Sequence, residues 1–171
     1  MKSILICLGA LLHAPMALSA GADLKLAAIF ADHMVLQRDK PAAVWGWADP
    51  GESVTVRFAG QSKTTTAGTG GGWSLKLNAL KASADSRVLT VTGNEGRKVE
   101  VKDVVVGEVW FGSGQSNMAM AVGSAANFDA EKAAANFPHI RYYGEASEAA
   151  EKPQTEGKGS WQTCTPENVR R

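Results

Sequence analysis

Cysteine is scarce in this chain: Cys7 and Cys164 are the two among 171 residues. Cys7 falls in an N-terminal leader, so the processed chain keeps one thiol and can form no internal disulfide. Stability must come from packing. A surplus of charge is missing too, with 18 Lys and Arg against 17 Asp and Glu, a formal net charge of +1. There is no basic patch, no zinc-ligand spacing and no aromatic RNA-binding motif, which argues against nucleic acid as a partner. No apolar run approaches the roughly 20 residues that a helix needs to cross a bilayer, which argues against a stable membrane anchor.

The leader is residues 1–22, MKSILICLGALLHAPMALSAGA. Lys2 precedes an apolar stretch from Ile4 to Leu12, and small residues suited to signal peptidase follow. Ala17-Leu18-Ser19 and Ala20-Gly21-Ala22 both satisfy the small-x-small rule, and the mature chain is expected to start near Asp23. The expected location is therefore secreted or periplasmic. Cys7 lies too early to be a lipoprotein acceptor. Cys164 has three readings: a buried structural residue, half of an intermolecular pair, or a nucleophile, for which no surrounding motif supplies a low pKa.

Residues 23–103 predict a β-sandwich. Ala43–Trp47, Ser53–Phe58, Trp73–Leu77 and Arg87–Thr92 alternate in polarity or are rich in β-branched and aromatic residues. Asp49-Pro50-Gly51 is a turn, the run at 67–72 a flexible loop, and Gly93-Asn94-Glu95-Gly96 a hairpin connection. Short strands at regular spacing argue for roughly seven or eight antiparallel strands in two sheets.

The pattern changes over 104–171. Residues 124–136 predict a surface helix that Pro138 ends, residues 145–160 an exposed loop, and Ile140–Tyr143 a following strand. Val104-Val105-Val106 together with Val109-Trp110-Phe111 are apolar on both faces, as in a central parallel strand. Strand, turn, helix and loop in that order match the first unit of an α/β domain, cut short before a parallel sheet is complete.

The strand leads into Gly112-Ser113-Gly114-Gln115-Ser116-Asn117. Small residues let the backbone turn sharply and place Ser116 at a strand's carboxyl edge, where ligands of α/β sheets bind. A serine there can act as a nucleophile if a base takes its proton and a third group orients that base. The plainer reading is that Gly, Ser and Asn form turns and that such serines cap the next helix. The turn is not a G-x-S-x-G elbow, because Met118 stands where the second glycine would be.

GEVWFGSGQSNM, residues 107–118, resembles the nucleophile block of the sialate O-acetylesterase family, a branch of the SGNH (GDSL-like) hydrolases. Further blocks agree in order: Phe30–Arg38, Val44-Trp45-Gly46 with Pro50-Gly51-Glu52, Gly72–Leu75, Pro138–Arg141, and Trp161 with Cys164 and Pro166. The resemblance covers nearly all of the mature chain. It implies a β-sandwich followed by the start of an α/β, flavodoxin-like SGNH hydrolase domain. Ser116 would be the nucleophile on acetyl esters of carbohydrates, its backbone amide an oxyanion donor, and no metal or organic cofactor would take part. Gln115 and Asn117 would either orient the turn or touch substrate.

The chain departs from the family pattern in two ways. Ala119-Met120-Ala121 stands where members often carry Glu-Trp-Pro. The family's other oxyanion donors and its Asp-x-x-His base lie beyond Arg171, and no Asp-x-x-His occurs in this chain. Of the histidines, His13 leaves with the leader, His33 is expected to be structural, and His139 structural or on the surface. Ser116 is therefore expected to be nearly inert in this chain, which reads as an N-terminal fragment. The rival reading is a secreted carbohydrate-binding or structural β-sandwich. It turns on Trp45 and Trp47, which share a face. Both are expected in the core with Trp73 and Phe58; solvent exposure would favour sugar binding.

Overall fold

The computed structural model describes residues 23–145 and 150–169, so the expected signal peptide lies outside the described residues. The strands in chain order are β1 Lys25–Leu26, β2 Val35–Gln37, β3 Ala42–Trp47, β4 Ser53–Phe58, β5 Gln61–Thr66, β6 Gly72–Leu77, β7 Ser83–Thr92 and β8 Lys98–Gly107. The helix α1, Phe128–Ala134, precedes the strands β9, Phe137–Gly144, and β10, Ser160–Cys164. They form a three-stranded sheet β1-β3-β6, a five-stranded sheet β2-β8-β7-β4-β5 and a two-stranded hairpin β9-β10. The five-stranded sheet is mixed, because β2 runs parallel to β8 while the other pairs are antiparallel.

The larger sheets share one core. Along β3 the buried residues are Ala42, Val44 and Gly46, and along β4 they are Val54, Val56 and Phe58. This is the period of two that a strand with one covered face requires. Val44, Leu77, Leu89, Val91 and Val104 are wholly buried in the same cluster. Gly46 is fixed by a close approach: a Cβ there would lie 2.0 Å from the Lys25 carbonyl oxygen, so β1 can pair with β3 only over a glycine. At the seam between the sheets the Gln61 side chain accepts from the Asn78 amide at 2.8 Å and donates to the Asn78 carbonyl at 3.2 Å.

Asp49-Pro50-Gly51 does turn, with Gly51 at φ 78° and the Glu52 amide donating to the Asp49 carbonyl. Glu52 itself is buried. Its carboxylate accepts from the amides of Asp49 at 2.9 Å and Asn94 at 2.7 Å and from the Arg97 guanidinium at 2.5 Å. One carboxylate thereby ties the β3–β4 turn to the β7–β8 turn. The run at 67–72, expected to be a flexible loop, is a hydrogen-bonded turn in which Gly68 donates to Gly72 and Gly71 donates to Gly68.

Other expectations need correction. Val104–Val106 do not begin a second sheet; they end β8, so a boundary at 103/104 falls inside that strand. Val109-Trp110-Phe111 form no strand and are exposed, Trp110 at 88% and Phe111 at 93%, because no described strand runs beside them. Trp45 and Trp47 share a face as expected, but it is not the core face: Trp47 is half-buried, packed against the edge of the core, and Trp45 is exposed. Ala42, Val44 and Gly46 take the core positions, leaving Trp45 36% exposed and edge-on to Phe30 at 4.6 Å. Trp73 and Phe58 are in the core.

The predicted helix is shorter than expected. It begins after Asn127, which takes left-handed φ and ψ, and it stops at Ala134 rather than at Pro138, which lies in β9. Asp129 and Glu131 in its first turn suit the positive end of the helix dipole. Pairing of β9 with β10 claims the chain from Phe137 onward. The described part of the predicted loop, 150–159, is largely exposed and irregular.

Candidate active site

The candidate site is built where β8 runs out. The Gln37 side chain at the end of β2 accepts from the Val109 amide at 2.9 Å and donates to Glu108 at 3.1 Å, clasping the chain as it leaves the sheet. After an extended stretch the backbone closes a short 3₁₀ turn, Ser116–Ala119, with the Met118 amide donating to the Gln115 carbonyl at 2.9 Å. The glycines before it have a steric reason. The Met118 side chain folds back over them, so that a Cβ on Gly114 would lie 2.8 Å from its Cγ and one on Gly112 would lie 3.3 Å from its Cε.

Gln115, Ser116 and Asn117 all lie in this turn and all are exposed. The geometry brings the three together in an accessible position. Among the described residues no side chain is hydrogen-bonded to the Ser116 hydroxyl, and Gln115 makes no side-chain cap to the turn. His139 is exposed on β9.

His33 is engaged elsewhere. Its Nδ1 is 2.7 Å from Asp103 Oδ2, and Arg141 from β9 reaches the other oxygen of Asp103 at 3.0 Å while donating to the backbone carbonyls of His33 and Asp103. Both His33, at φ 70°, and Asp103, at φ 53°, hold left-handed backbone, which costs a non-glycine residue free energy and persists where surrounding contacts over-determine it. Asp103 lies with Lys102 in the irregularity where β7 and β8 lose register. Its partial burial works to raise its pKa, but hydrogen bonds from His33, Ser86 and Arg141 and the Arg141 charge outweigh that and hold it below the usual carboxylate value. No periodicity exposes such a cluster in the sequence. Its one trace is a charged Lys-Asp pair interrupting a run of valines.

Among the described residues no three His, Cys, Asp or Glu side chains are grouped to hold a metal ion, and no helix is long and apolar enough to cross a membrane. Cys164 is a free, half-buried thiol on β10.

No family model matches the chain. It is 31% identical over 164 residues to the sialate O-acetylesterase of Mus musculus, covering 88% of this chain and 30% of that protein. It is 34% identical over 113 residues to the sialate O-acetylesterase of Homo sapiens, covering 61% and 22%. Among solved structures, a carbohydrate acetylesterase from Xanthomonas citri matches with a TM-score of 0.80 and 36% identity, over 85% of this chain and 33% of that one. The chain thus spans about a third of the length of the relatives it matches. Sequence and fold agree over nearly all the described residues, so the chain is similar to one third of these acetylesterases and consistent with a sialate O-acetylesterase-like family.

Proposed function

We propose that this chain carries the nucleophile turn of a carbohydrate O-acetylesterase, set after a β-sandwich at the start of an SGNH hydrolase domain, in a protein exported by its leader. One observation carries the reading: a fold shared with a carbohydrate acetylesterase at 36% identity, together with a GQSNM turn that holds Ser116 accessible. In the reaction, Ser116 Oγ attacks the acetyl carbonyl and its proton passes to a base. The backbone amide of Ser116 donates to the oxyanion, the sugar hydroxyl leaves with a proton, and water hydrolyses the acetyl-enzyme. Gln115 and Asn117, on either side of Ser116 in the chain, would either steady the turn or meet the sugar.

The Ser116 hydroxyl has no hydrogen-bonded histidine among the described residues, and His33 Nδ1 is committed to Asp103. General-base help is worth about 10²- to 10⁴-fold, so we expect this chain alone to hydrolyse esters at close to background rates. The test is p-nitrophenyl acetate hydrolysis by the mature chain and its Ser116→Ala variant. Equal, near-background rates support a nucleophile turn without its base. A clear rate that disappears in the variant would show that a base within these residues completes the site. A clear rate that survives Ser116→Ala would remove Ser116 from the reaction.

A further inference from the structure

A cleft of about 650 Å³ opens away from the Ser116 turn, within the size range of small-molecule sites. One wall is the exposed indole of Trp45 with Ile29 beside it; the other is Tyr143 and Glu145 at the end of β9 with Glu156 and Lys158 from the loop into β10. The walls are tied to each other and to the sheets. Glu145 accepts from the Lys158 amide at 2.6 Å, Tyr143 Oη accepts from the Gly159 amide at 3.1 Å, Lys25 pairs with Glu156 at 2.6 Å, and Trp161 donates to the Ile29 carbonyl at 2.7 Å. A cleft fixed by contacts on both sides loses little freedom when a ligand enters.

Its chemistry is specific. Trp45 makes an edge-to-face contact with Phe30, which sets its ring orientation while leaving it 36% exposed, an apolar plate at the mouth of a polar space. Opposite it stand two carboxylates, Glu145 and Glu156, with the ammonium of Lys158 beside them and that of Lys25 paired to Glu156. Carboxylates only accept hydrogen bonds, so they select a ligand rich in donors, and with Lys25 and Lys158 balancing the two acids the cleft has no net positive charge to draw an anion.

We propose that this cleft is a binding site for a neutral saccharide chain. The C–H face of a pyranose ring lies on Trp45, and its hydroxyls donate to Glu145 and Glu156. The site would hold substrate or product glycan at a distance from the reacting ester, and it does not depend on catalysis by Ser116.

The test is calorimetric titration of the mature chain, with tryptophan fluorescence in parallel, against neutral oligosaccharides of gluco, xylo, manno and galacto configuration and against N-acetylneuraminic acid. At least one neutral oligosaccharide is expected to bind with a Kd below about 10 mM. Trp45→Ala should weaken that binding about tenfold, as loss of an aromatic anchor does. Thr155→Arg, an exposed change that fills the cleft without touching the core, should weaken it similarly. Ser116→Ala should bind like the parent, so failure of the esterase reading leaves this result standing. Absence of binding to every neutral oligosaccharide, binding untouched by both cleft variants, or preference for N-acetylneuraminic acid would overturn the proposal.

Discussion

Glu52 has almost no contact with solvent, yet the backbone amides of Asp49 and Asn94 and the Arg97 guanidinium all point at it. Removing one partner of such a set leaves the others buried and unsatisfied, which costs more than the set contributes in the first place. Glu52→Ala should therefore lower unfolding stability by about 3 kcal/mol in a urea titration, and Glu52→Gln, which keeps two acceptor lone pairs but loses the charge, by less. Asp103 gives a pH-dependent counterpart. Its folded pKa is depressed, so its contribution to stability is present above the unfolded carboxylate value of about 3.9 and is lost as pH falls through the lower folded value. The stability gap between the parent and Asp103→Asn should be full near neutrality and close below about pH 4. A gap that does not change with acidity would show that the Asp103 charge is not what holds His33 and Arg141. At this scale the sequence was legible only locally. Pro50-Gly51 marked the turn, but the buried acid was hidden because its partner Asn94 lies 42 residues away.

Strands showed in the sequence wherever apolar residues alternate, as in β4, β6 and the second half of β7. Alternation says which residues share a face but not which face is covered. That is why Trp45 was expected inside and lies outside, and Trp47 is only half-buried, with the smaller Ala42, Val44 and Gly46 turned to the core. β5, Gln-Ser-Lys-Thr-Thr-Thr, gave no apolar signal because it is an edge strand with no fully buried residue. Threonines and a lysine there hold a free edge without inviting another chain to pair with it. β1 was missed because a two-residue strand has no period to read. Its existence depends on Gly46. Gly46→Ala puts a methyl group against the Lys25 carbonyl and should cost about 1–3 kcal/mol, with loss of hydrogen-exchange protection at the Ala27 amide, which donates to the Trp45 carbonyl. Protection and stability unchanged by that substitution would mean that the β1–β3 approach is not tight. Leu89→Ala, in the centre of the shared core, is the reference for an ordinary cavity, at about 2–5 kcal/mol.

Taken as a whole, the molecule combines a well-covered core with large apolar side chains that nothing covers. The sheets close over a common core, but Trp110, Phe111, Met118, Met120 and Ile140 stand at 58% exposure or more. A sequence shows that a residue is apolar without showing whether anything covers it, so Val109–Phe111 looked like the end of a buried strand. Bare aromatic residues on this scale bind hydrophobic dyes and promote self-association. The purified chain should bind ANS and sediment with a concentration-dependent mass, and a Trp110→Ser, Phe111→Ser double variant should reduce both. Unchanged dye binding in that variant would place the exposed apolar surface elsewhere.

The folding of Met118 over Gly112 and Gly114 also sets a chemical vulnerability. A thioether that is 58% exposed is open to peroxide, and oxidation turns a slim, apolar sulfur into a bulkier polar sulfoxide. On the glycine side the fit is already tight, with Gly114 closer to the Met118 side chain than a methyl group would allow and Gly112 only a few tenths of an ångström looser than that limit. A polar sulfoxide that swings toward solvent would uncover those glycines, making the shape of the turn that presents Ser116 sensitive to oxidants at a position two residues from the hydroxyl.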